Sequence, residues 1–328
     1  MQPKGCATVG PMRILFMGGT GPVGQAAVPY LLSAGHDLVL AHSGAHEPPA
    51  LAGLEHLHGD RNALLAPGGP AERARPDAIV DTFAGGASAE KARAVSALAQ
   101  RTGAGHLVVT SSIDVYRHCD DAGVGGSPPV ELPRAWLPLA EDSELRAGPS
   151  PGGAARGHDN VAMEGALSGA ERITMLRPGT IYGPYENPHV LREWYLVGKI
   201  ARGERRLALP AGGTQLFQRV AVERVGRAIA AALERAPTGA WACNVADARD
   251  LTFGGLAAAT AERLGWEWEI EEVAWADGDH PWNVRHPVVA DTTRLRDQLA
   301  VTEPDPLEAT IAQIDWLWDR RLALSGRA

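Results

Sequence analysis

Three glycines, Gly18, Gly21 and Gly24, fall between a short apolar run and a segment of helical pattern. Glycine at the first two lets the backbone turn tightly and approach a pyrophosphate, whose charge the N-terminal N–H groups of a following helix favour. The third lets that helix lie close on a sheet. The turn, with Thr20, Pro22 and Val23 inside it, is therefore expected to hold a dinucleotide. Further along, Ser112, Asp114 and His158 offer a hydroxyl, a carboxylate and an imidazole. An imidazole titrates near neutrality, and a carboxylate in a cleft can be raised far enough to carry a proton. Hydride transfer at a carbon bearing oxygen needs such a partner for the oxygen's proton.

The elements that must position these groups can be read from the pattern. Residues 14–17 form an apolar run suited to a strand buried on both faces. A helix is expected from Pro22 to Ala34, with Gly35 placed to end it, and a second strand over residues 37–41. "GLEHLHGD" reads as a third strand closing at Asp60, "DAIVDTFAGG" as a fourth, "HLVVTSS" as a fifth and "ITMLRPGT" as a sixth. Helical segments lie between them, one from about Asp159. This alternation implies an α/β fold with a Rossmann-type, doubly wound parallel sheet. Seven of the nine tryptophans follow residue 240, so a smaller C-terminal α+β substrate lobe is expected. The predicted organisation is a flexible tail over 1–11, a dinucleotide-binding domain from 12–184 and 214–246, and the lobe from 185–213 and 247–328. The Pro/Gly-rich stretches 122–139 and 147–157 read as loops.

Composition narrows the partners. A net charge of −8 over 328 residues, with no run of Lys or Arg, argues against nucleic acid and for a small-molecule substrate. Cys6, Cys119 and Cys243 are far apart and lack CxxC spacing, which gives neither a disulfide framework nor a zinc knuckle. No metal site is expected, since the adjacent side chains of "HCDD" (118–121) do not converge on one ion. No stretch reaches about 18 consecutive apolar residues, so a cytoplasmic protein with no membrane partner is expected.

At the end of the second strand, where NAD enzymes often place an acid on the adenosine ribose, stand His42 and Ser43. No carboxylate there repels a 2'-phosphate and no arginine grips one. The cofactor is read as NAD(P), with a slight lean to NADP.

Over residues 12–320 the sequence resembles the extended short-chain dehydrogenase/reductases, the NAD-dependent epimerase/dehydratase family. "GGTGPVG", "TSSIDVYR", "LRPGTIYGP", "FQRVAVERVGRAI" and "ACNVADARDLTF" carry the resemblance. "HSGAHEP" and "HLHGDR" are similar to a branch that includes chloroplast RNA-binding proteins, although the acidic charge gives RNA no support. The resemblance implies that Asp60, with Arg61 beside it, contacts adenine. Phe83, Ala84 and Gly85 would line the cofactor's path, and Pro178, Thr180 and Ile181 would pass near the nicotinamide. Ser112 would bond the reacting oxygen, and Asp114 stands where sugar-nucleotide dehydratases carry an acid. Tyr182 reads as structural. Family members are often dimers, so a homodimer is possible.

The family's general base is a Tyr, assisted by a Lys four residues later on the same helix face. Aligned on Glu164, those positions are Arg156 and Asn160. Arginine stays protonated but can bind a phosphate or carboxylate of a substrate, and Asn160 can bond the ribose. His158 can replace the Tyr only if the helix begins late. Tyr185, Glu186 and His189 follow "RPGTIYGP" and are expected to enter the substrate cleft. The reading is an NAD(P)-binding oxidoreductase, epimerase or dehydratase acting on a small hydroxyl- or carbonyl-bearing metabolite. The alternatives are a redox-neutral lyase, isomerase or cyclase, in which Asp114, His158 or Glu186 acts on the substrate, and a non-catalytic nucleotide sensor.

Overall fold

The computed structural model describes residues 10–83, 86–184, 192–302 and 305–325. Its strands in chain order are β1 (Arg13–Met17), β2 (Asp37–His42), β3 (Glu55–His58), β4 (Ala78–Asp81), β5 (His106–Thr110), β6 (Arg172–Pro178), β7 (Thr180–Tyr182), β8 (Arg206–Pro210), β9 (Arg219–Ala221), β10 (Gly239–Val245) and β11 (Glu269–Val273). Seven of them form one parallel sheet in the order β10-β6-β5-β4-β1-β2-β3. The order reverses between β1 and β4, so the crevice at their carboxyl ends is the switch point where doubly wound folds bind ligands.

The period-2 pattern of the central strand explains the two layers. Ile14 and Phe16 of β1 point into one core with Leu38 and Leu40. Leu15 and Met17 point into the other with Val39 and Ala41. All are buried, as a parallel sheet covered on both faces requires. On the first face helix Pro22–Ser33 packs against helix Val222–Arg235. Their close approach depends on Gly226, where a Cβ would stand 2.6 Å from the Ala26 backbone.

The C-terminal lobe is α+β. β8 and β11 pair in parallel, and helices Trp194–Ala201 and Phe253–Leu264 supply an apolar cluster with Phe253 and Trp282. One stretch lies differently from the expected division. Leu295, Leu299 and Val301 pack into the core of the main sheet, because helix Thr293–Asp297 rests on β10. The stretches expected as loops also hold short helical turns at Val124–Gly126 and Pro151–Ala155.

Among the described residues no helix is long and apolar enough to cross a membrane.

Candidate active site

The glycine turn leaves β1 with Gly18 at φ +79°, a left-handed conformation that favours glycine. Gly18 N–H bonds to Ala41 C=O at 2.9 Å, and Gly21 N–H closes the turn on Gly18 C=O at 3.1 Å. Gly24 lies on the Gly19 backbone, and a Cβ there would stand 2.0 Å from the Gly19 carbonyl oxygen. Gly21 differs: a Cβ would meet only Gly18 O, at an ordinary 3.4 Å. The protein's own packing therefore explains Gly24 but not Gly21, whose bare backbone faces space at the N-terminus of helix Pro22–Ser33. That cradle fits a pyrophosphate, with Val23 and Gly24 among the first-turn N–H groups that a helix leaves unbonded. Thr20 is buried and its carbonyl accepts from the Gln25 side chain.

Other residues expected at the cofactor have structural partners. Asp60 caps helix Arg61–Leu65, accepting from the N–H groups of Asn62 and Ala63 at 2.8 and 3.3 Å. Arg61 pairs through both terminal nitrogens with the fully buried Asp81 and lies over the Phe83 ring. Asp81 also accepts from Phe83 N–H, holding Phe83 at φ +48°. Pro178 and Thr180 are buried at the end of β6 and in β7, and Ile181 packs on the first core. Thr110, Ser111 and Thr180 each bury a hydroxyl without a hydrogen-bond partner among the described residues. Ala84, Gly85, Tyr185, Glu186 and His189 lie outside the described residues.

Asp114, His158 and Asn160 converge, and Ser112 starts the turn that carries Asp114. Ser112 follows β5 and caps the turn Ile113–Val115, its hydroxyl accepting from Asp114 N–H at 3.1 Å. Helix Pro151–Ala155 ends at Arg156, Gly157 turns the chain at φ +62°, and a second helix starts at Asn160 with Asp159 as its cap. The late start brings His158 onto the face that Asn160 presents. Asn160 Nδ2 lies 2.9 Å from Asp114 Oδ1 and 3.0 Å from His158 Nε2, while Ala87 N–H bonds to His158 Nδ1 at 2.9 Å.

Proton accounting constrains this chain. Because Nδ1 accepts from Ala87, the neutral ring of His158 carries its proton on Nε2, and an Asn160 NH2 group facing Nε2 sets donor against donor. Turning the Asn160 amide by 180°, an exchange of oxygen and nitrogen that coordinates alone do not fix, lets its oxygen accept from Nε2–H. The contact with Asp114 is then made only when that carboxyl carries a proton. The buried amide of Asn160 thus ties Asp114 and His158 together at one point.

Arg146, which the sequence did not single out, positions this chain. It is buried, donates to the Asp114 carbonyl at 3.0 Å and pairs with Asp120 at 2.6 Å. Arg146, Ser150, His158, Asp114 and Asn160 line a small cleft of about 10 Å3, partly open to solvent. Arg156 is exposed and does not share a helix face with Asn160.

Two tyrosines close in sequence to the site motifs are not proton carriers. Burial pushes the Tyr116 hydroxyl up to about 12, and that hydroxyl bonds to Asn244 at 2.6 Å. Tyr182 is raised further by burial and is held on Asp247 at 2.8 Å.

A reversing parallel sheet with a glycine turn at its switch point defines a Rossmann-type doubly wound fold. Solved structures narrow it. The chain matches MoeE5 in complex with UDP-glucuronic acid and NAD at 21% identity, covering 94% of this chain and 99% of that one with a TM-score of 0.69. It matches UDP-glucose 4-epimerase of Thermotoga maritima, solved with UDP-glucose, at 19% identity over 95% and 100% of the two chains, with a TM-score of 0.70. UDP-N-acetylglucosamine 4-epimerase of Methanobrevibacter ruminantium, in complex with UDP-N-acetylmuramic acid, is 16% identical over 95% and 100%, also at 0.70. The chain therefore has the fold of the extended short-chain dehydrogenase/reductases. No family model and no curated protein matches it.

Proposed function

We propose that the protein is an enzyme that binds a nicotinamide dinucleotide at the turn over residues 18–24 and acts on a hydroxyl- or carbonyl-bearing small molecule in the cleft beside Asp114. The observation that carries this reading is the spatial coincidence of two features. The bare backbone at Gly21 opens a phosphate cradle at the switch point, and Asp114, held by Asn160 beside His158, offers a carboxyl on the same carboxyl edge of the sheet. The cofactor, when bound, accepts or donates hydride. Ser112 would then orient the substrate oxygen and Asp114 would exchange its proton with it, while His158 would hold Asn160, and through it Asp114, in place.

NAD is the cofactor named with MoeE5, and nucleotide-linked sugars are bound in the similar structures, so these are the first to screen. A soluble, cytoplasmic setting fits the reading.

A second reading, redox-neutral lyase, isomerase or cyclase chemistry by the same Asp114 and His158, is favoured by the chain break at Gly157. No side chain one helical turn before Asn160 shares its face.

Titration of the protein with NAD+, NADH, NADP+ and NADPH, followed by substrate screening at 340 nm, tests both. Binding with an absorbance change supports hydride transfer, and binding with turnover but no net change at 340 nm supports a redox-neutral reaction. Absence of binding to all four would refute the dinucleotide reading.

A further inference from the structure

The sequence analysis expected no metal site, but the register of the edge strands builds a cluster of metal-ligating groups. β2 and β3 run parallel with His42 opposite His58 and Leu40 opposite His56. Residues paired across parallel strands, and residues two apart along one strand, share a face of the sheet. His42, His56 and His58 therefore project from one face, continuing the row that Leu38 and Leu40 begin in the core. The connection between the two strands carries Glu47 over the same face.

We propose that His42, Glu47, His56 and His58 form a binding site for a four-coordinate divalent transition metal, with zinc the best fit.

The geometry points to one shared centre. Glu47 Oε1 lies 2.7 Å from His58 Nε2, 3.0 Å from His56 Nδ1 and 3.5 Å from His42 Nε2. His42 Nε2 and His56 Nδ1 are 2.8 Å apart, and all four ligand atoms lie within 4.8 Å of one another. Bonds of about 2.0–2.1 Å in a tetrahedron place neighbouring ligand atoms roughly 3.3 Å apart, so entry of the ion asks for shifts of a few tenths of an ångström at most of these contacts.

The proton pattern also suits ligation. His56 Nε2–H donates to Leu51 C=O at 2.9 Å, which leaves the lone pair of Nδ1 facing the centre. This is the outer bond that ligating histidines usually make. His42 accepts from Gly44 N–H through Nδ1 at 3.1 Å, so ligation through Nε2 moves its ring proton to Nδ1. Gly44 is exposed, and its N–H passes to water.

Three imidazoles and one carboxylate are borderline ligands that select Zn2+ and its neighbours over Mg2+ or Ca2+, which take oxygen donors. The four ligands come from residues 42–58, so the ion would fasten the β2–β3 connection to the sheet. Loss of the dinucleotide reading leaves this site unaffected.

Tag-free protein, stripped with a chelator, is titrated with Zn2+, with Mg2+ as control, and separately with Co2+. Binding of one Zn2+ per chain is expected, with a rise in melting temperature and the intense visible bands of tetrahedral Co2+. His58→Ala and Glu47→Gln should weaken binding by at least about 10–100-fold, the loss seen when even a metal site's outer partners are removed. Both side chains are substantially exposed, so the variants should melt like wild type without metal. Equal Zn2+ uptake by wild type and the double variant, or cobalt spectra of octahedral type, would overturn the proposal.

Discussion

Asn160 stands between Asp114 and His158, its side-chain amide 2.9 Å from the carboxyl group and 3.0 Å from the imidazole. A buried amide in this position holds both side chains without itself gaining or losing a proton. Asp114→Asn removes the carboxyl and should lower turnover by about 10²–10⁴-fold, the usual worth of a positioned acid or base. Asn160→Ala should lower it less, because Asp114 keeps its carboxyl and loses only the amide that positions it. Steady-state turnover of the two variants checks this. A loss in Asn160→Ala equal to that in Asp114→Asn would deny the difference in role.

The glycine turn separates a packing role from a binding role within four residues. Gly24→Ala drives a methyl into the Gly19 backbone, 2.0 Å from its carbonyl oxygen, and should cost about 3 kcal/mol of stability. Gly21 has extended backbone at φ −74° and meets only Gly18 O at 3.4 Å. Gly21→Ala should therefore fold within about 1 kcal/mol of wild type yet bind dinucleotide at least about tenfold more weakly, near 1.4 kcal/mol. Chemical denaturation and calorimetric titration of both variants provide the check.

Stability should depend on pH through His106. Burial, reinforced by the Arg172 charge, holds this imidazole's pKa down at about 4, and its Nε2 contacts Thr174 Oγ1 at 2.9 Å. The unfolded chain takes up the proton near 6.5, so between pH 6.5 and 4 the unfolded state binds more protons than the native one. The contribution is complete above pH 6.5 and is lost as pH falls to about 4, amounting to roughly 3 kcal/mol. Urea denaturation at pH 7 and pH 4.5 should show the loss. In His106→Gln that part of the slope should disappear.

The legible and illegible parts of the chain divide by range. The glycine turn and the alternation of strands and helices follow local periodicity and turn chemistry, so they could be read directly. The proximity of Ser112 and Asp114 is likewise local. The partners of Asp60 and Arg61, a helix N-terminus and Asp81, exist only after folding. Arg146 lies in a Pro/Gly-rich stretch with no periodic signal, and its contact with Asp114 spans 32 residues. His56 and His58 show the same limit, since a lone strand does not reveal that His42 will face His58 across a parallel pair. Gly226 carried a similar hidden message, written in the Ala26 backbone it touches.

The helix break at Gly157 bears on whether a Tyr at 156 and a Lys at 160, the pair of the family the sequence resembles, could work together. Arg156 ends one helix, Gly157 at φ +62° turns the chain, and Asn160 begins the next, so a residue at 156 does not stand one turn behind 160. Arg156 is also exposed, whereas Asn160 is buried. Arg156→Tyr/Asn160→Lys is therefore expected to yield no gain in reduction at 340 nm. The new lysine also removes the amide that joins Asp114 to His158, so wild-type turnover should fall by the margin seen for Asn160→Ala or more. Reductase activity appearing in the double variant would mean that residues 156–160 rearrange into one continuous helix. A parallel His158→Ala variant checks the wild-type arrangement, because loss of the imidazole that holds Asn160 should lower turnover by no more than loss of Asn160 itself.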